Sequence, residues 1–302
     1  MAEPRSCPVC GAPPEAATLF LEENIDESKL SAMSYASRKA PEYMCHRLVR
    51  CGSCDLVYVA TPPAQEALAE AYHQAEYDSS EEANDAAAAY IRAMQPILHK
   101  LPQRVSAMEI GAGTGVLLEL LRGQGFSELV GVEPSSAAIA AAPAHRRPWL
   151  KEGIFREEDF APASFDLICC FMTLEHVRDP LTTAASAARL LRPGGAFVSV
   201  THDYHSLVNR LLGKKSPIID IEHMQLFSDR SIRTLLERSG LSEVSAQPFY
   251  NTYSIRYWTR LAPLPGGLKS LAEKVFESTG LERLKLSVNV GNTMAGSFRA
   301  GS

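Results

Sequence analysis

The chain has 302 residues, 46% hydrophobic and 22% charged, and its 30 basic and 35 acidic side chains give a formal net charge of −5. That balance excludes a disordered chain, and 19 glycines with 19 prolines exclude a collagen-like one. No apolar run approaches the roughly 18 residues of a membrane span, and neither a signal leader nor a basic nucleic-acid-binding face is evident, so a cytoplasmic protein is expected.

Taken in chain order, the first signal is a pair of Cys-x-x-Cys turns, Cys7-Pro8-Val9-Cys10 and Cys51-Gly52-Ser53-Cys54. Each lets two thiolates converge on one ion, with Gly11 and Gly52 easing the backbone, and two such knuckles complete the closed four-sulfur site of structural zinc. Residues 11–50 between them exceed the usual spacing of about 15–20 in a zinc ribbon, so the chain must leave the site and return. Disulfides or a redox pair are the competing readings, and a reducing compartment disfavours the first. Four thiolates leave no position for water or substrate, so such a metal folds its module and takes no part in chemistry. Residues 1–62 read as this zinc-binding module, with Leu56–Val59 as a strand.

Residues 63–103 are rich in Ala and Glu, with apolar or small residues at helical spacing through Leu68, Ala71 and Tyr72, then Tyr90, Ile91 and Met94. They read as a helical linker, in which Tyr72 and Tyr77 either cover a ligand or pack helices. A strand ending at Ile110 then runs into Gly111-Ala112-Gly113-Thr114-Gly115 and an amphipathic helix from Val116. Glycines at alternate positions allow a sharp turn and close approach of a ligand. A dinucleotide fingerprint needs a glycine where Val116 stands, which argues against NAD or FAD. The next strand, Leu129–Val132, ends in Glu133, whose carboxylate can accept hydrogen bonds from both hydroxyls of a ribose, implying an adenosine.

The alternation continues with the buried strand Phe165–Phe171 and a helix from Asp179-Pro180 to Leu191, stopped by Arg192-Pro193-Gly194-Gly195. The strand Ala196–Val200 follows. Strands separated by helices predict a parallel α/β sheet with its ligand beyond the carboxyl ends of the strands. Cys169 and Cys170 read as small core hydrophobes. Two Glu-His pairs stand out, Glu175-His176 after the fourth strand and Glu222-His223 before a helix at about Asp229–Ser239; His202 and His205 lie between them. A carboxylate beside a histidine fixes its tautomer and raises its basicity, which suits removal of a proton from a hydroxyl or an activated carbon. A strand at Glu243–Ala246 precedes an aromatic-rich insertion, about 249–283, expected to cap the pocket. The last strand is predicted near Leu286–Val290.

Glu109-x-Gly111-x-Gly113-x-Gly115, Glu133, Phe165-Asp166-Leu167-Ile168, Leu174-Glu175-His176-Val177-x-Asp179-Pro180 and Leu191-Arg192-Pro193-Gly194-Gly195 together resemble class I S-adenosylmethionine-dependent methyltransferases. The resemblance implies a Rossmann-like, seven-stranded α/β sheet with helices on both faces over residues 104–302, preceded by the small zinc ribbon. It also implies that Glu109 and the loop Gly111, Ala112, Gly113 and Gly115 hold the methionine end of S-adenosylmethionine, that Glu133 holds its ribose, and that the segment at Phe155 flanks the adenine. Paired Cys-x-x-Cys motifs before such a domain are similar to bacterial small-molecule methyltransferases, including C-methyltransferases of nucleotide-linked deoxysugars. In those a comparable Glu-His pair lies near the transferred methyl, with a tyrosine where this chain has Asp220. His223, Glu222 and His176 are therefore the catalytic candidates. The expected reaction moves a methyl group to an oxygen or carbon of a small-molecule acceptor, a sugar derivative or secondary metabolite, with no nucleic-acid partner. The alternatives are methylation of tRNA or protein, or a non-catalytic cofactor-binding scaffold that recruits a partner through its zinc module.

Overall fold

The computed structural model describes residues 3–36, 42–75, 80–262 and 264–301. Tyr77 lies outside them. In chain order the strands are β1 (Ala17–Leu21), β2 (Leu48–Cys51), β3 (Val57–Val59), β4 (Ser106–Ile110), β5 (Glu128–Glu133), β6 (Leu150–Glu152) and β7 (Phe165–Phe171). They continue with β8 (Leu191–His202), β9 (Gln225–Leu226), β10 (Ser242–Pro248), β11 (Asn251–Ser254), β12 (Lys285–Val288) and β13 (Asn292–Phe298). Seven of them form one sheet in the order β10-β13-β8-β7-β4-β5-β6. Six run in one direction, and β13 runs antiparallel to both of its neighbours. From β4 the chain winds outward through β5 and β6, then returns to the other side of β4 as β7. The carboxyl ends of β4 and β7 therefore flank the point where strand order reverses, the place such sheets hold ligands.

Burial on both faces explains the near-continuous apolar runs. All seven residues of β7 are buried, and alternate side chains go to opposite faces. Ala107, Leu167, Cys169 and Val198 pack with Tyr90, Met94 and Leu98 of the helix Ser80–Lys100 and with Leu117 and Leu121 of the helix Val116–Gly123. Met108, Ile110, Ile168, Cys170 and Phe197 pack the other way, against the helices Pro180–Leu190 and Asp229–Arg238 and against Val9, Leu56 and Tyr58 of the N-terminal module. The two adjacent cysteines thus pack in opposite layers, both fully buried.

Two strands differ from the sequence reading. β8 begins at Leu191 and carries Arg192-Pro193-Gly194-Gly195 as an irregularity opposite Phe165–Leu167, because Asp166 anchors the segment: its carboxylate accepts from Arg192 Nη1 (2.9 Å), Gln103 (2.8 Å) and the N–H groups of Val105 and Ser106. The last core strand is β13, fully buried, whereas Lys285–Val288 is exposed and pairs with β11 in a separate two-stranded sheet of the insertion. Leu286 and Val288 alternate as in a strand, whereas Asn292–Phe298 carries no such pattern; only the contacts made by β13 put it in the core.

The N-terminal module is an antiparallel sheet β1-β2-β3 extended by β9, two residues contributed from the far side of the chain.

Candidate functional site

The chain reverses at Cys7–Gly11 and Cys51–Asp55 in two matching knuckles. Gly11 N–H donates to the Cys7 carbonyl (2.9 Å) and Asp55 N–H to the Cys51 carbonyl (3.1 Å). Gly11 and Asp55, each next after the second cysteine, take left-handed φ of 74° and 67°. Gly52 serves differently from the expectation: a Cβ there would lie 2.9 Å from the Ala16 carbonyl oxygen. The four thiols converge, with Cys7 and Cys54 sulfurs 3.5 Å apart, Cys10 and Cys51 likewise, and all four within 4.8 Å. A tetrahedral ion with sulfurs at about 2.3 Å needs sulfur separations of ~3.8 Å. The cluster is consistent with a zinc site, and three of its cysteines are buried.

A cavity of about 810 Å³ opens over the carboxyl ends of β4, β5 and β7, within the range of ligand pockets, ≈ 300–1,000 Å³. Glu109, Gly111, Ala112, Gly113, Glu133 and Phe155 line it; Gly115 does not, and instead opens the helix Val116–Gly123 at φ 70°. Gly111 and Ala112 donate their N–H groups to the Val132 carbonyl (2.9 and 3.1 Å), drawing the loop against β5. At Gly113, φ 52°, nothing stands within 4 Å of a Cβ position, so its backbone faces open cavity. The Glu133 carboxylate accepts from Gly113 N–H (2.7 Å) and Ser135 N–H (2.8 Å). Burial raises its pKa, and those two N–H bonds pull the other way. Phe155 is half-buried and stacked on Phe160, ring centres 6.3 Å apart.

At Gly111 the loop passes beneath the turn that follows β7. Met172 there holds φ 52°, unfavourable for a side-chain-bearing residue, secured by its N–H bond to the Val200 carbonyl (2.8 Å). This turn places Thr173 Oγ1 2.2 Å from where a Gly111 Cβ would be, and Gly111 itself has φ 77°. Gly111→Ala is therefore expected to lower the melting temperature and to weaken cofactor binding at least tenfold; calorimetry showing wild-type affinity would contradict this packing.

Beyond the glycine loop the cavity meets a wall of three histidines, His176, His202 and His223. His176 and His223 rings lie 4.9 Å apart between centres, His202 and His223 6.0 Å. The sequence reading pairs each glutamate with the histidine next to it, and the fold gives each a different histidine. Glu175, fully buried, accepts at Oε1 from His202 Nδ1 (3.0 Å) and the His202 N–H (2.6 Å). Glu222 Oε2 stands 3.5 Å from His176 Nδ1, which also meets the Tyr72 hydroxyl at 3.1 Å. His223 has neither carboxylate as its Nδ1 partner; that nitrogen donates to the Ile218 carbonyl (2.8 Å), leaving the lone pair on Nε2. Burial lowers the pKa of His176 and His223 below the ordinary imidazole value. Burial alone would raise that of Glu175, but the neighbouring histidines, His202 foremost, bring it below the ordinary carboxylate value. Glu175, His176 and His223 also bring one donor atom each within 4.8 Å, the second group among the described residues with metal-like spacing.

Sequence reasoning placed Glu175 and His202 outside its catalytic set, and assigned no role to Asn251 and Asn292, both buried on the cavity wall. Asn292 lies opposite His202 in the β13–β8 ladder, a neighbour no local pattern could reveal. Tyr253, Tyr257 and Trp258 of the insertion also line the cavity, with Tyr253 edge to face on Tyr257 (4.7 Å) and Trp258 (5.2 Å).

A family profile described as a methyltransferase domain matches residues 81–246, more than half of the chain. A ubiquinone biosynthesis O-methyltransferase from Aliivibrio fischeri strain MJ11 is 24% identical over 166 residues, covering 49% of this chain and 70% of that one. The enzyme of the same name from Thiobacillus denitrificans is 35% identical over 94 residues, 29% of this chain and 40% of that one. Among solved structures, an S-adenosylmethionine-dependent methyltransferase from Archaeoglobus fulgidus superposes with a TM-score of 0.46 at 14% identity, over 70% of this chain and 94% of that one. No helix among the described residues is long and apolar enough to cross a membrane.

Proposed function

From a chain that belongs to the methyltransferase-domain family, and so is an S-adenosylmethionine-dependent methyltransferase, we propose methyl transfer to an oxygen or carbon of a small-molecule acceptor held between the glycine loop and the histidine wall. The observation that carries this reading is the single cavity shared by the Glu133–Gly113 cradle and the three histidines.

S-Adenosylmethionine, when bound, supplies a methyl group on a sulfonium sulfur. The chain's part is to hold and orient it: Glu109 and the loop Gly111, Ala112 and Gly113 at the methionine end, Gly115 by shaping the turn, Glu133 at the ribose hydroxyls, and Phe155 beside the adenine. With S-adenosylmethionine held there, the methyl carbon would exchange its bond to sulfur for one to the acceptor atom, and S-adenosylhomocysteine would be the second product. The acceptor's proton passes to Nε2 of His223, the Glu222 and Glu175 carboxylates nearby offsetting the positive charge and His176 lining the same wall. In-line placement in a water-poor pocket supplies the remainder of the rate. Ring-shaped acceptors suit the aromatic insertion, and the curated relatives, named as O-methyltransferases, favour oxygen as the acceptor atom.

The test is calorimetric titration with S-adenosylmethionine and, as control, NAD, followed by a screen of phenolic metabolites and nucleotide sugars for methylated product. Micromolar binding of S-adenosylmethionine alone, with turnover of a small molecule, is expected. Turnover confined to tRNA or a protein would overturn the acceptor class.

We also propose zinc at Cys7, Cys10, Cys51 and Cys54. Cys51→Ser is expected to lower metal content from about one zinc per chain to near zero and to destabilise the module, read by elemental analysis and thermal melting.

A further inference from the structure

The cysteine module touches the histidine wall at three places, and each contact falls one to three residues after a wall histidine. After His176, the Arg178 carbonyl accepts from Arg5 Nη1 (2.5 Å), while Arg5 Nε donates to the Val59 carbonyl of β3 (3.0 Å). After His202, the Tyr204 hydroxyl donates to the Asp55 carboxylate (2.8 Å) and His205 Nε2 meets its other oxygen at 2.8 Å. Asp55 is the residue immediately after Cys54, locked in its left-handed turn. After His223, the Met224 carbonyl accepts from Val59 N–H (2.9 Å), and β3 pairs with β9 through Tyr58 with Gln225 and Val57 with Leu226.

The third contact is held from both sides. On the side away from the module, Met224 and Gln225 donate their N–H groups to the Glu175 carbonyl (2.7 and 3.2 Å), and the Gln225 amide donates to the carbonyls of Val177 (2.7 Å) and Leu174. Met224 and Gln225 are fully buried. Their backbone is held between β3 and the Glu175 turn, and His223 is the residue just before. The cofactor cradle is fastened elsewhere: Gly111, Ala112 and Gly113 bond to Val132 and Glu133 of β5.

We infer that the cysteine module is a positioning element for the acceptor wall, so that the metal-held knuckles set the place of His176, His202 and His223 without setting the affinity for S-adenosylmethionine. The inference rests on the functional reading above, in which these histidines face the acceptor, and it assigns the metal a consequence beyond folding its own module. A two-residue strand such as β9 is too short to hold its own place, so its position is set by the two elements that flank it, β3 of the module on one side and the Glu175 turn on the other.

The experiment uses the full chain in three forms: as purified, stripped of metal with 1,10-phenanthroline, and as Val59→Pro, which keeps all four thiols and removes one N–H donor from the β3–β9 junction. Amide exchange is followed in peptides over 173–178, 202–206 and 218–227, with 109–135 as the reference. S-Adenosylmethionine affinity is measured by calorimetry and methyl transfer with catechol as the probe acceptor. Both altered forms are expected to lose protection at least tenfold in the three wall peptides and to slow turnover at least tenfold. Exchange in 109–135 and the cofactor Kd are expected to stay within about twofold. Uniform loss of protection, or a Kd that rises in step with the loss of turnover, would show a merely structural module and overturn the inference. Asp55→Ala, at the second contact, is the alternative should Val59→Pro fail to fold. A wild-type protein that binds cofactor but methylates nothing counts against the functional reading alone, since the exchange contrast decides the positioning role by itself.

Discussion

Glu133→Ala should weaken S-adenosylmethionine binding about 100-fold or more. The carboxylate is buried at the end of β5 and already accepts from Gly113 and Ser135 N–H groups, leaving its remaining lone pairs for two ribose hydroxyls. Hydrogen bonds to a charged group contribute ~1.5–3 kcal/mol each, so losing two corresponds to about 3 kcal/mol or somewhat over two decades in Kd. Alanine also strands the buried Ser135 N–H and releases the Gly113 N–H to the cavity, so the glycine loop itself should loosen and the melting temperature fall. Glu133→Gln, which keeps the shape, should lose less than alanine. Because burial raises the pKa of this carboxyl, affinity should decline on the acid side beginning above the ordinary glutamate value of 4.5. Protonation puts a hydrogen on an oxygen needed as an acceptor, which fixes the sign. Unchanged calorimetric affinity in Glu133→Ala would show that the ribose lies elsewhere.

His223→Ala should cost 10²–10⁴ in kcat, the usual contribution of a positioned general base, with the cofactor Kd little changed. The imidazole is buried, its Nδ1 proton is committed to the Ile218 carbonyl, and its free nitrogen is in the cavity wall. Desolvation, then the like charge of His176, hold its pKa below 6.5. His223, as the proposed base, is therefore in its neutral form throughout the neutral range, and turnover should fall only as pH drops below about 6.5. The same shift makes the fold acid-sensitive: the unfolded chain binds the proton more readily, so the stability contributed by a neutral buried His223 is complete above pH ~6.5 and declines as pH falls below it. An acid limb of kcat that survives His223→Ala unaltered would move the base to another residue. His202, oriented by Glu175, is the next to replace.

Local features were legible in the sequence because their causes are local. A Cys-x-x-Cys turn converges two sulfurs through its own backbone, and both knuckles form as the spacing predicted, although the left-handed residue of the second is Asp55 and not a glycine. Gly111 and Gly113 are required by a turn of five residues, and the run from strand to glycine loop to helix, followed one strand later by Glu133, sets the cradle without reference to the remainder of the chain. The alternation of strand and helix gave the parallel sheet for the same reason.

What tertiary structure alone decided is which groups meet. Glu175 and His176 are adjacent in sequence, yet they meet different partners: Glu175, in the turn after β7, reaches His202 at the carboxyl end of the neighbouring strand β8, and His176 meets Glu222 from another segment. Asn292 enters the site because β13 lies antiparallel beside β8, and β12 stays outside the core although its apolar alternation resembles a core strand. The joining of the cysteine module to the histidine wall includes a two-residue strand pairing between distant parts of the chain, Tyr58 with Gln225 and Val57 with Leu226, too short to carry a periodic signal. Periodicity and spacing record what a segment does with its own backbone; the partners of a buried carboxylate or imidazole are fixed by strand order and packing, which no local stretch of sequence contains.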